Sequence, residues 1–231
     1  MTTNNIKSYF VIAVLILSAS VMIQNNAFAT TMHPNLGTAS NFAVLGSSTV
    51  TNTGNTLIVG NLGVSPGTAI TGFPPGIVIG TTYAGGPVAT RAHDDAAIAY
   101  NALSNTKCTT NEPAVANIGG LTLKPGVYCF PSSAAITGKL TLSGNGVYIF
   151  KISSTLVTAA YNSRVVLTHG ALASNVFWQV GSSATLGVGS VMEGTVIAYS
   201  SITSTTNAMV DGRLIALNGA VTLDANHITK K

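Results

Sequence analysis

A chain of 231 residues, 46% hydrophobic and only 7% charged, is long enough to bury one sizeable core and too apolar to be disordered or a solvated helical bundle. Ten basic residues face six acidic ones for a formal charge of +4, but the basic residues stand singly apart from Lys230-Lys231, so nothing supports nucleic-acid binding. The basic balance reflects scarce acids rather than a cationic patch.

Residues 1–29 read as a secretory signal peptide. Lys7 supplies the basic start, the fifteen residues from Tyr9 to Ile23 the apolar stretch, and Ala27-Phe28-Ala29 the small-residue cleavage site. The rival is an uncleaved anchor, since fifteen residues lie near the lower bound for a membrane span. The expectation is one domain over 30–231, secreted and clear of the membrane after cleavage, with nine basic residues left once Lys7 is removed. The chain ends at His227-Ile-Thr-Lys-Lys231 without an anchoring signal, which favours a released protein. Export gives Cys108 and Cys129 a meaning. An even pair in an oxidising compartment is expected to form a disulfide around a loop of about twenty residues, stabilising by roughly 3 kcal/mol. Two buried free thiols are the alternative. No metal site is expected, because His93 has no partner at ligand spacing.

After a short lead-in, Asn41 to Gly54 opens the domain with alternating Val, Ser and Thr, and includes Thr49, Thr51 and Thr53. Leu57–Val64 and Ile77–Tyr83 follow as strands, separated by the turns Ser65-Pro66-Gly67 and Pro74-Pro75-Gly76. From about 87 to 105 the period changes. Ala92, Ala96, Ala99 and Leu103 recur at helical spacing, with Thr90 as N-cap and Arg91, His93, Asp94 and Asp95 on a solvated face. A cap segment over about 106–131 comes next. Leu121-Thr-Leu and Leu140-Thr-Leu then repeat at an offset of 19, so Thr122 and Thr141 join the threonine pattern. Ile149 to Thr158 leads into a longer coil before the C-terminal repeats.

Those repeats organise the chain. Val176–Leu186, Thr195–Ser204 and Arg213–Leu223 align so that Trp178, Ile197 and Ile215 fall at spacings of 19 and 18, and Thr185, Thr203 and Thr222 at 18 and 19. A fixed period near 20 with apolar alternation is the mark of a β-solenoid. Strand alternation sends Ala184, Leu186, Val221 and Leu223 inward and the three threonines outward. It also puts Val180, Tyr199 and Leu217 on the face of the residues two places earlier, with Gln179, Ala198 and Ala216 opposite. Asp211-Gly212 and Asn218-Gly219 read as tight corners. The order is coils, a helix, then more coils.

Catalysis finds no support in these residues. The carboxylates are Asp94, Asp95, Glu112, Glu193, Asp211 and Asp224, and His93-Asp94 has no nucleophile motif beside it. Glu193 and Asp211, 18 apart, are expected to stack at one corner, as a solvated pair or a cation site. An adhesin or matrix protein using the solenoid as a display surface is the rival to a non-enzymatic surface binder.

The stretches Leu36–Gly46, Gly60–Gly67, Thr71–Gly76, Leu121–Tyr128, Asn175–Gly187 and Asn218–Asp224 together resemble the microbial ice-binding (antifreeze) protein family. The resemblance implies a mainly β fold, a discontinuous right-handed three-faced β-solenoid with one long α-helix alongside, and a disulfide-tied cap at Cys108/Cys129. It implies binding to an ice crystal surface, no catalytic residues and no cofactor. A monomer is expected. A Thr-Ala/Gly-x-Thr/Asn pattern described for one subgroup is met by Thr53-Gly54-Asn55-Thr56. Candidates for ice contact are therefore Thr49, Thr51, Thr53, Thr56, Thr158, Thr185, Thr203, Thr205 and Thr222, with Val157 interrupting the polar column next to Thr158. Threonine ladders also arise simply because β-branched polar residues suit exposed strands. Which face meets ice depends on the shapes of the faces.

Overall fold

The computed structural model describes residues 33–109 and 117–231; the leader expected at 1–29 and part of the cap segment, 110–116, lie outside them. Every strand pairing is parallel, and the strands stack into coils with three faces. The threonine face is a seven-stranded sheet: Ala134–Ile136, Leu156–Thr158, Ala184–Leu186, Ile202–Ser204, Val221–Asp224, Thr49–Thr53 and Ala69–Thr71 in spatial order. A second face runs from Thr122–Leu123 through Lys139–Ser143, Arg164–Thr168 and His227–Thr229 to Leu57–Val59 and Ile77–Ile79. The third runs from Gly126–Phe130 through Tyr148–Ile152 and Val176–Val180 to Phe42–Gly46, Asn61–Val64 and Thr82–Ala84. Two long strands, Val191–Ala198 and Met209–Ala216, serve the second face with their first halves and the third face with their second halves. The fold is mainly β, a β-solenoid with one long helix.

The stack is discontinuous. Its C-terminal strands do not end it but pair with the N-terminal ones, Val221–Asp224 against Thr49–Thr53 and His227–Thr229 against Leu57–Val59. The chain leaves one end of the stack at Thr82–Ala84 and re-enters at the other through Gly126–Phe130. The helix Gly86–Asn105 makes that journey. Its twenty residues extend about 30 Å, enough to run beside most of the coils.

Ala89, Ala92, Ala96, Ala99 and Leu103 form the buried stripe of the helix, and their small size lets it lie close against Phe42, Leu45, Phe177, Ile197 and Ile215. Gly85, not Thr90, is the N-cap; Thr90 lies one turn inside and its hydroxyl donates to the Gly86 carbonyl. The polar side of the helix is also less solvated than expected. Asp95 accepts from both the backbone N–H and the hydroxyl of Thr38, at 2.7 and 2.6 Å, and these bonds hold its carboxyl below the usual range. His93 Nε2 meets the Leu217 carbonyl at 2.8 Å. The first contact ties the helix to the short 3-10 turn Gly37–Asn41, and the second to the segment that follows the strand Met209–Ala216.

The repeat on the helix-bearing face is one residue out of the expected register. Trp178 pairs with Val196 and then Leu214, whereas Gln179 pairs with Ile197 and Ile215. Val180, Ala198 and Ala216 therefore share the interior row, and Tyr199 and Leu217 fall just beyond the strands. Strands here are buried on both sides, by the core and by the helix, so their unbroken apolar run does not declare which side chain faces in. Inside the coils Tyr128, Phe150 and Trp178 form a stack, the last two at 3.9 Å between ring centroids. Asp211-Gly212 is not a tight corner either. Gly212 sits in the middle of Met209–Ala216, where the strand bends between faces, and a Cβ there would lie 1.8 Å from the Gly194 carbonyl oxygen. The expected disulfide is present, Cys108 to Cys129, with Cα atoms 5.9 Å apart.

Candidate functional site

The threonine face is assembled from short strands whose middle residue points outward between two buried neighbours. Ala184-Thr185-Leu186, Ile202-Thr203-Ser204 and Val221-Thr222-Leu223 all follow this rule. Register places Thr185 beside Thr203, Thr203 beside Thr222, Thr222 beside Thr51, and Thr51 beside Thr71. The result is an unbroken column of five threonines on five adjacent strands. Two come from the N-terminal part of the chain and three from the C-terminal part. The junction is marked by the Thr51 hydroxyl, which donates to Thr222 Oγ1 at 3.4 Å across 171 residues of sequence. Beyond Thr185 the column continues as Val157, 43% exposed, and Ala135.

A second row flanks it. Thr49 pairs with Ala69 there, and Ser133, Thr155, Ser183 and Ser201 precede four of the other strands, with Ala220 before the fifth. Thr155 donates to the Ser133 hydroxyl at 2.8 Å. On the other side Thr53 stands opposite Asp224, and the hydroxyls of Thr53 and Thr205 donate to the Leu223 and Leu186 carbonyls at 3.3 and 2.7 Å. Those two therefore belong to the rim, with hydroxyls already engaged by backbone.

Two expected members do not reach the surface. Thr158 is 3% exposed; it follows Val157 and so takes the inward position, where its hydroxyl accepts the Gly187 N–H at 2.8 Å. Thr56 is 1% exposed and accepts the Asn226 N–H at 3.0 Å. The string Thr53-Gly54-Asn55-Thr56 thus turns away from the sheet instead of displaying both its threonines. Thr122 and Thr141 pair with each other, but on the second face. Thr71 lies outside the three C-terminal repeats, yet stands 20 residues after Thr51, close to the solenoid period.

The other faces differ in character. The helix covers much of the third. The second mixes exposed Ile77, Ile79 and Met209 with charges from Lys139, Arg164, Glu193 and Asp211. Glu193 and Asp211 stack in register as expected, and Lys231 Nζ lies 3.3 Å from Asp211. Burial, then the Asp211 charge, push the Glu193 carboxyl up to about 7 despite the opposing pull of Lys231. The strands of the threonine face, by contrast, contain one charged residue, Asp224 at the rim. Its outward residues are short, β-branched or hydroxylated, which suits a broad solid surface better than a small enclosed ligand.

Comparison with known proteins agrees with this geometry. The family model described as ice-binding-like matches residues 44–229. An ice-binding protein of Nostoc sp. (strain HG1) is 47% identical over 228 residues, covering 96% of this chain and 82% of that protein. One from Colwellia sp. is 37% identical over 212 residues, covering 84% of this chain and 82% of that protein. The crystal structure of an ice-binding protein from the Antarctic ascomycete Antarctomyces psychrotrophicus superposes with a TM-score of 0.82 at 43% identity, over 85% of this chain and 98% of that one. A discontinuous solenoid, a face of aligned threonines and a match across most of the domain lead to one conclusion: the chain belongs to the ice-binding protein family.

Proposed function

We propose that this is a secreted, monomeric, non-catalytic protein that adsorbs to ice through the threonine face. Thr51, Thr71, Thr185, Thr203 and Thr222 form the centre of that face, with Thr49 and the serine row beside them. Neighbouring coils set equivalent residues about 4.8 Å apart, and alternate residues along a strand follow at about 6.7 Å. Each threonine offers a hydroxyl that donates and accepts, beside a methyl that bounds water without bonding it. β-branching stiffens χ1, so the array is ordered before ice arrives. First-shell water held on this grid adopts an ice-like layer, and binding is the merging of that layer with the crystal. Individual contacts are weak, so many must form together on a rigid plane.

The observation that carries this reading is the unbroken five-threonine column on a face with no charge in its interior. Thr203→Tyr tests it, since a ring at the second position of the column lifts the crystal off its neighbours. Thermal hysteresis should fall at least about fivefold while circular dichroism and melting temperature stay near the parent's, as for a change at the centre of a contact surface. Unchanged hysteresis in the folded variant would remove this column from the contact surface.

A further inference from the structure

Beside the C-terminal half of the helix lies an open trough of about 620 Å³, away from the threonine column. The helix contributes Tyr100 to one wall, and Tyr199, half exposed, stands across from it with ring centroids 6.1 Å apart and planes at 41°. The floor is Lys151 and Gln179, paired on adjacent strands, and then Ser153 and Gly181. Gly181 lets the adjacent coils close up there, because a Cβ would lie 2.3 Å from the Ser153 carbonyl oxygen. Gln179 is 6% exposed and lines the trough beside Tyr100.

The trough therefore presents flat apolar ring surface next to amide, hydroxyl and ammonium donors. No carboxylate lines it, and its single ammonium, on Lys151, already donates to the Thr106 carbonyl at 2.7 Å. A cationic ligand would find no countercharge here and a polyanion only this one ammonium, so a neutral ligand is the better match. A ligand with apolar faces and hydroxyl-bearing edges would find both surfaces matched, the rings by stacking and the edges by hydrogen bonding. We infer that this trough is a binding site for a neutral pyranose oligosaccharide, with a sugar ring on Tyr199 and its hydroxyls at Gln179, Ser153 and Lys151. The trough shares no residue with the threonine column.

Titrating the 15N-labelled protein with cellohexaose and, separately, maltohexaose tests it. At least one should give saturable shifts of the Tyr100, Ser153, Gln179, Gly181 and Tyr199 amides with Kd of about 1 mM, ordinary for a shallow site. Tyr199→Ala should weaken that binding about tenfold, and Tyr199→Phe should stay within about twofold because the ring survives. Tyr161→Ala, at an exposed tyrosine outside the trough, should bind as the parent does. Ice-crystal shaping by Tyr199→Ala shows that the variant is folded. No saturable shifts with either sugar up to about 10 mM, shifts confined to other faces, or undiminished binding by folded Tyr199→Ala would each overturn the proposal.

Discussion

At Thr56 an inward hydroxyl accepts the Asn226 N–H at 3.0 Å, while at Thr203 an outward one stands on the sheet surface. The same side chain thus holds two coils together in one place and faces the solvent in another. Thr56→Val should strand the Asn226 donor in the core and lower stability by about 1–3 kcal/mol in denaturant melts, with hysteresis per folded molecule unchanged. A loss of ice activity at full folding would put Thr56 in the wrong role. Val157 is the mirror case. It has the branched shape of threonine at the next position of the column but only methyls to offer. Val157→Thr should leave stability within about 0.5 kcal/mol and raise hysteresis at equal concentration by lengthening the hydroxylated column from five residues to six. If hysteresis is flat or lower, the working surface stops at Thr185.

Paired strands bring out effects that no single residue shows. Glu193 and Asp211 occupy matching positions on Val191–Ala198 and Met209–Ala216, so folding forces two carboxylates together and half-buries one of them. The Glu193 carboxyl rises from 4.5 to about 7, so the folded protein holds that proton more tightly than the unfolded chain does. Its contribution is fully present below pH 4.5 and is lost as pH rises through about 7. Melting temperature should therefore decline across that interval, and Glu193→Gln should flatten the decline and melt higher than the parent at pH 8. A Glu193→Gln profile parallel to the parent's would show that the pair is relaxed by solvent. The same strands explain what was legible beforehand. Thr185, Thr203 and Thr222 could be read because buried neighbours alternate with a single outward residue. Trp178 could not be placed in register, because both sides of its strand are dry. Thr158 was misjudged for a related reason: a coil with valine outward and threonine inward inverts the polarity rule. Nor could the Thr51–Thr222 contact be seen by spacing, since it joins opposite parts of the chain.

Over the whole molecule, the helix is what makes the threonine column continuous. By carrying the chain from one end of the stack to the other, it lets the last coils grow back onto the first, so that Thr222 meets Thr51. The Cys108–Cys129 disulfide lies at the end where the chain re-enters, on the Ala135 side of the face and at the opposite end of the stack from Thr71. A surface built this way should act as one area rather than as separate residues, and position along the column should set the cost of an obstruction. Thr71→Tyr blocks the last member and leaves four consecutive threonines, Thr185 through Thr51. Thr203→Tyr isolates Thr185 from the three that follow. The same ring should therefore leave more than about half of the hysteresis at Thr71 but remove most of it at Thr203, as expected when central contacts dominate an interface. Equal losses at the two sites, in variants with parental melting temperatures, would mean that ice engages the column residue by residue and that its continuity has no bearing on activity.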